Sequence, residues 1–245
     1  MTQEELEEIL EKHKLWINFR TAIWPDVDKF KELRANFQNE NFSGLDFSEA
    51  DLTSAIFIGC NFLESKFIHA DLESANFEKA NLLRANFEKA NLRSANLTKV
   101  FSERANFKKT NLLAANLRSG DFKKANFEEA HLAMADLAYA NFEEANFKKA
   151  CFSQAHLYKS NFRKANCKEA SFYAEYLSES NFAQANIEQA DFSNLDFYDE
   201  DFMTTIGVPK NFSKHDWIIR KIAYFHLLPV GLVCTFIIAI ILKSI

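Results

Sequence analysis

From Ala35 to Phe202 a large apolar residue recurs at every fifth position. The run ANFEK, ANLLR, ANFEK, ANLRS from Ala75 to Ser94 shows the beat. Counting from Phe37 to Phe202 gives 34 units with no slip of frame. The central residue is Phe or Leu in 31 of them; Ser102, Cys167 and Ile187 are the exceptions. Asn or Asp precedes it in 26 units, and Ala stands two before it in 22. A period of five suits neither a helix, at about 3.6 residues per turn, nor a flat strand, at about 2. A fixed short repeat predicts stacked units of a solenoid.

The chemistry of one unit follows from its spacing. A small and a large apolar residue two apart share one side of an extended dipeptide. The Asn or Asp between them faces out, and the last two residues turn a corner. Asn and Asp suit tight turns because their side chains bond nearby backbone groups. Each side then points one ring or leucine and one Ala inward.

A longer period sets the number of sides. Leu97, Leu117, Leu137, Leu157 and Leu177 fall 20 apart, as do Phe87, Phe107, Phe127 and Phe147. Outward charge doublets alternate in sign at the same spacing. One column reads Glu103-Arg104, Lys123-Lys124, Glu143-Glu144, Arg163-Lys164; the next reads Lys108-Lys109, Glu128-Glu129, Lys148-Lys149. A spacing of 15 would stack Lys108-Lys109 on Lys123-Lys124, and like charges directly opposite are destabilising. Four pentapeptides per coil is therefore expected.

This pattern resembles the pentapeptide-repeat family, whose motif is a small residue, Asp or Asn, Leu or Phe, then two variable residues. The resemblance implies an all-β solenoid, a right-handed four-sided β-helix of about 8 coils. The family often holds Gly at the last position, where this chain has Lys79, Lys89 or Ser94; looser corners are expected. At Val100-Phe101-Ser102 the large residue sits one position early, which predicts a local bulge.

The flanks divide the chain further. Residues 1–34 read as a cap and lead-in, 35–206 as the β-helix, 207–221 as a basic connector and 222–245 as a tail. Thr2 with Glu5 fits a capping box, and Leu6, Ile9, Leu10, His13 and Ile17 follow helical spacing. This N-terminal helix is expected to cover the first open coil; a partner-binding helix is the alternative. Ala223 to Leu242 is 20 residues without formal charge, long enough to span a bilayer. Pro229 and Gly231 are tolerated in such a helix. Arg220 and Lys221 precede it and only Lys243 follows, which predicts a single-pass tail anchor with the repeats in the cytoplasm. A buried C-terminal cap or a homodimer helix is the other reading.

Composition narrows the function. The net charge of −5 opposes direct nucleic-acid binding. Cys60, Cys151, Cys167 and Cys234 form no zinc spacing. No glycine-rich phosphate loop or catalytic constellation is evident, so no enzyme, cofactor or metal is expected. One side offers Leu113-Ala114, Ala133-Met134, Ser153-Gln154 and Tyr173-Ala174. The next offers Arg118-Ser119, Ala138-Tyr139, Tyr158-Lys159 and Ser178-Glu179. A mildly apolar, tyrosine-bearing strip can mark an interaction surface. Leu113, Met134, Tyr139, Tyr158 and Tyr173 are its candidate residues. The expected role is a non-catalytic, membrane-tethered scaffold for an unidentified protein partner. The alternative implied by the resemblance is a DNA mimic acting on a type II topoisomerase. Lys123-Lys124, Lys148-Lys149 and Arg163-Lys164 interrupt every acidic stripe that mimicry would need.

Overall fold

The computed structural model describes residues 2–21, 35–173, 177, 179–193 and 204–210. Helix α1 (Gln3–Thr21) comes first. The rest of the described residues form a coil, with 28 parallel bridges among them, each joining residues 20 apart, from Asn36–Ile56 to Asn186–Ile206. Four-sided coils are thus observed. Residues 35–193 make about eight of them. Side 1 is centred on Phe37, Phe57 and so on to Leu177, and side 2 on Phe42 to Phe182. Side 3 is centred on Phe47 to Ile187, and side 4 on Leu52 to Phe192.

Let positions 1 to 5 of a unit be Ala, Asn, Phe and the two corner residues. Where position 2 is Asn or Asp, every backbone N–H of a typical unit then finds an acceptor, as a dry core demands. In Ala75–Lys79, Ala75 N–H donates to the Leu72 carbonyl and closes the preceding corner (3.0 Å). Asn76 N–H bonds Ala55 in the coil below (2.9 Å). Phe77 N–H bonds Asn96 above (2.7 Å), and Lys79 N–H bonds Thr98 above (3.0 Å). Only Glu78 N–H lacks a backbone partner, and the Asn76 side chain accepts it (3.0 Å). This is why position 2 is Asn or Asp. The amide of an Asn there also ties one coil to the next. Nδ2 of Asn106, Asn126, Asn146 and Asn166 each donates to Oδ1 of the Asn one coil below, at 2.9–3.1 Å. Position 2 is consequently half-buried in most units rather than turned freely outward.

The corners are not loosened by the scarcity of glycine. Position 5 is left-handed at 28 non-glycine residues, with φ between 54° and 62°. Lys79, Glu129 and Tyr139 adopt the conformation that Gly44 and Gly59 also take. The inter-coil bonds impose it, against a local cost of roughly 1–2 kcal/mol for an L residue.

Inside, positions 1 and 3 are buried from Ala55 to Phe172, with Leu45, Ala50 and Leu177 partly buried and Glu40 exposed towards the ends. Phe67, Phe87, Phe107, Phe127 and Phe147 stack on side 3 with centroids 4.7–5.0 Å apart. Rings on adjoining sides meet edge to face, as Phe142 meets Phe147 at 5.2 Å. Both geometries suit the aromatic quadrupole.

The expected bulge is absent. Phe101 keeps position 2, bridging Asn81 below and Asp121 above. Ser102 keeps position 3 and is fully buried, while Phe101 is 63% exposed. The backbone ladder outweighs the side-chain preference, so a polar residue sits in the core and a ring stands in solvent.

Helix α1 forms the expected cap. Thr2 N–H donates to Glu5 Oε2 (2.8 Å) and Glu5 N–H to Thr2 Oγ1 (3.2 Å). Leu6 is fully buried, with Ile9 and Leu10 packed against the core. Among the described residues no helix is long and apolar enough to cross a membrane. The segment Ala223 to Leu242 lies outside the described residues.

Candidate functional site: the corner between sides 4 and 1

The surface divides by charge. Sides 2 and 3 carry ladders in which most doublets pair with the coil above or below. Lys123 Nζ lies 2.9 Å from Glu143, and Arg163 lies 2.7 Å from the same carboxylate. Lys108–Glu128, Lys149–Glu169 and Lys168–Glu188 repeat the arrangement at 3.3, 3.7 and 2.9 Å. The hydrogen bond from Lys123, joined by that from Arg163, holds the Glu143 carboxyl below the usual range.

Side 4 differs. From Asn111 to Tyr173 its outward residues are Asn111, Leu113, Ala114, His131, Ala133, Met134, Cys151, Ser153, Gln154, Ser171 and Tyr173. None carries a formal charge with His neutral, across four consecutive coils. Met134 is 59% exposed and Tyr173 52% exposed. Leu113 is half-buried and Ala133 buried.

Round the corner, side 1 holds a connected aromatic cluster. The Arg118 guanidinium lies 4.7 Å over the Tyr139 ring. Tyr139 meets Tyr158 edge to face at 5.4 Å, and Ala138 is buried. Tyr158 donates to Glu179 (3.1 Å), which also pairs with Lys159 (3.2 Å). Contact with the Tyr158 hydroxyl first, and then with Glu179, raises the Lys159 amine above its ordinary value. Asp136 takes Arg118 at 3.5 Å and His156 at 3.2 Å. The β-helix therefore sets Tyr139 and Tyr158 in fixed poses, by stacking and hydrogen bonding at rigid corners.

All five residues singled out from the sequence lie at this corner or on its two sides. The Arg118–Asp136–His156 linkage was not foreseen, although its members stand at spacings of 18 and 20 in one column. The exposed Phe101 lies apart, on side 2. His131 and His156 occupy sides 4 and 1, as their spacing of 25 requires. Among the described residues no three His, Cys, Asp or Glu side chains cluster to hold a metal ion. Burial pushes the Cys60 thiol up to about 11 and raises Cys167 further, which leaves both protonated and unreactive.

The sequence matches two family models, "pentapeptide repeat region" over residues 32–107 and "pentapeptide repeats (8 copies)" in three overlapping matches from 125 to 194. The chain belongs to the pentapeptide-repeat family. Members form right-handed β-helices, and the coil described above fits that fold. A trypsin-treated form of QnrB1, a plasmid-mediated fluoroquinolone resistance protein, is 21% identical. That match covers 76% of this chain and 88% of QnrB1, with a TM-score of 0.53. HetL, a pentapeptide repeat protein involved in heterocyst differentiation regulation in Nostoc sp. strain PCC 7120, is 26% identical over 62% of this chain and 78% of HetL, with a TM-score of 0.34. A pentapeptide repeat protein of the Arabidopsis thaliana thylakoid lumen is 17% identical over 73% of this chain and 90% of its own, with a TM-score of 0.19. No curated protein matches the sequence.

Proposed function

We propose that this chain is a non-catalytic, membrane-tethered rod that holds a protein partner on the corner between sides 4 and 1. The observation that carries the reading is the charge-free stretch of side 4, bordered by Tyr139, Tyr158 and Tyr173. Interface cores are depleted in charge and enriched in Tyr and Met. Here the exposed members, Met134, Tyr139 and Tyr173, stand on a backbone tied to the neighbouring coils by hydrogen bonds, so little backbone order is lost on binding. The tether is the apolar segment Ala223 to Leu242, with the repeats on the cytoplasmic side.

A photo-reactive residue in place of Met134, activated in native membranes, should capture a discrete partner. Glu substituted at Tyr139 should abolish that capture. Capture that survives the change at Tyr139, or a crosslink confined to lipid, overturns the reading. A crosslink to a second copy would make the rod a homodimer. Removal of residues 222–245 should move the protein from the membrane to the soluble fraction; a full-length chain already soluble removes the tether.

A second reading, a topoisomerase-directed DNA mimic, is favoured by the fold shared with QnrB1. The paired ladders on sides 2 and 3 argue against it, since mimicry needs unbroken negative potential. Potent inhibition of gyrase supercoiling by the purified chain would reverse the ranking.

A further inference from the structure

The charge-free stretch of side 4 has a centre, and that centre carries two side chains able to bind a metal. Its four rungs are those of Leu112, Leu132, Phe152 and Phe172. The midpoint falls between the second and third, whose position 2 residues are His131 and Cys151. These two form a parallel bridge. Leu132 N–H donates to the Cys151 carbonyl at 2.8 Å, and Cys151 N–H donates to the Ala130 carbonyl at 3.0 Å. Imidazole and thiol therefore stand on one face, on adjoining rungs about 4.8 Å apart. His131 is exposed and Cys151 half-buried, with its Sγ 3.3 Å from Ser153 Oγ. A separation of 20 residues matches no zinc spacing along a chain; only the coil brings the pair together.

A structural zinc site closes with about four N or S ligands, and one chain offers two here. A twofold axis through the midpoint, lying in the face and across the rod, supplies the others. It sets a second rod antiparallel on side 4, with the Leu132 rung facing Phe152 and the Leu112 rung facing Phe172. Each position meets the same position of the facing rung. His131 then meets the second copy's Cys151, and Cys151 its His131. Leu113 faces Tyr173, Ala133 faces Ser153 and Met134 faces Gln154, so uncharged residues cover uncharged residues along the whole stretch. One rung further out at either end, Arg93 comes opposite the rung of Asp191 and Ser193. Arg93 already lies 4.0 Å from Glu73, and Asp191 3.4 Å from Lys210, so this contact sets register more than it binds. Facing sheets pack about 10 Å apart, which leaves a metal on the axis about 5 Å from either backbone, the reach of a Cys or His side chain.

We propose that side 4 is a zinc-dependent homodimer surface, in which His131 and Cys151 of two copies hold one Zn²⁺ between antiparallel rods. This rests on the reading of side 4 as a contact surface and names a second copy as its occupant. The area makes the metal necessary. Four rungs of a side about 10 Å wide give about 200 Å² per copy, well below the roughly 800 Å² per partner of a stable interface. Metal–ligand bonds supply what the area lacks. Each Cys151 thiol gives its proton to solvent as it binds, and each imidazole coordinates through its bare nitrogen. Two thiolates match the charge of the ion, so no net charge is buried. Cys60 and Cys167 are buried inside the coil and take no part.

The test uses the full chain carrying Cys234→Ser, in non-ionic detergent, because Cys234 lies outside the described residues. Zn²⁺ should double the protein mass seen by sedimentation, and EDTA should restore the single chain. Co²⁺ in its place should give thiolate charge-transfer and intense tetrahedral visible bands that saturate at one ion per two chains. Both signals should be lost in His131→Ala and in Cys151→Ser, whose side chains lie outside the core. Leu113→Glu, which sets a carboxylate against Tyr173, should weaken the zinc-induced dimer by about 10-fold or more. A mass unchanged by zinc overturns the proposal. So does a zinc dimer that persists in Cys151→Ser, or a cobalt spectrum that saturates at one ion per chain. Capture through Met134 in membranes kept in chelator needs no metal, so a failed zinc test and a failed partner test are told apart.

Discussion

Ser102 shows what a single residue must do to belong to this coil. It stands on side 2 between Leu82 and Phe122, where a ring or leucine normally fills the axis, and its buried hydroxyl has no hydrogen-bond partner. Its neighbour Phe101 occupies an Asn slot and cannot accept the Glu103 N–H as Asn106 accepts that of Lys108. Two local rules are therefore broken in adjacent residues while the backbone frame holds. Ser102→Leu should raise stability by about 2 kcal/mol, from restored apolar burial and removal of an unpaired hydroxyl. Phe101→Asn should add about 1 kcal/mol through the recovered side-chain acceptor. Guanidinium denaturation of both variants and the pair checks this; a destabilised Ser102→Leu would mean that the neighbouring rings have already closed the space. Position 3 and its burial were legible in the sequence because apolar periodicity reports burial directly. The outcome at Phe101 was not, because periodicity is blind to the ladder that pins the frame. The same ladder explains why corners close without glycine: three inter-coil bonds per unit impose a left-handed φ that no single residue would choose.

At the scale of the element, the charge columns and α1 behave differently. The cap was legible because Thr2, Glu5 and the helical spacing of Leu6, Ile9, Leu10 and His13 are local signals. That His13 would supply two hydrogen bonds to the first coil was not, because its partners Ala35 and Thr53 lie 22 and 40 residues away. The charge columns favoured four sides over three, since a spacing of 15 would stack Lys108-Lys109 on Lys123-Lys124 and Glu128-Glu129 on Glu143-Glu144. Exposed pairs of this kind contribute little individually and are screened by salt. Glu143 is the exception in geometry, with a cation above and one below and only 18% of its side chain exposed. Its carboxyl is held below the ordinary glutamate range by Lys123 first and then Arg163. A lowered folded-state value means that the stabilisation is present at neutral pH and disappears as pH falls through that value. Thermal melts from pH 7 to 3 should therefore show a steeper acid decline for the wild type than for Glu143→Gln, with the difference shrinking in about 1 M salt. Parallel pH profiles would show that the carboxylate contributes nothing beyond solvation.

For the whole molecule, the question is what a rod gains from having sides. Because the central residue is Phe or Leu in 31 of 34 units and Ala stands two before it in 22, the core distinguishes one side from another less than the outward residues do. The sides were legible as columns, but the linkage of Arg118, Asp136, Tyr139, His156 and Tyr158 was not, because it depends on rotamers chosen in contact. This separation of core from surface allows the surface to be rearranged without unfolding the chain. Deleting residues 141–150 removes two units and joins Ala140 to Cys151 in frame. The coils beyond the junction then turn by two sides, carrying Tyr158 and Tyr173 to the faces opposite Met134 and Tyr139. Deleting residues 66–85 removes one full coil and leaves the strip aligned. Repeat stability is close to a sum of unit and neighbour terms, so both deletions should melt cooperatively and somewhat below the wild type. Capture through a photo-reactive residue at Met134 should survive the longer deletion and be lost in the shorter one. If both deletions retain capture, the binding determinant does not extend beyond the coil that holds Met134 and Tyr139. If the 141–150 deletion fails to fold, the sides are not interchangeable and the columns of like residues hold the core in register.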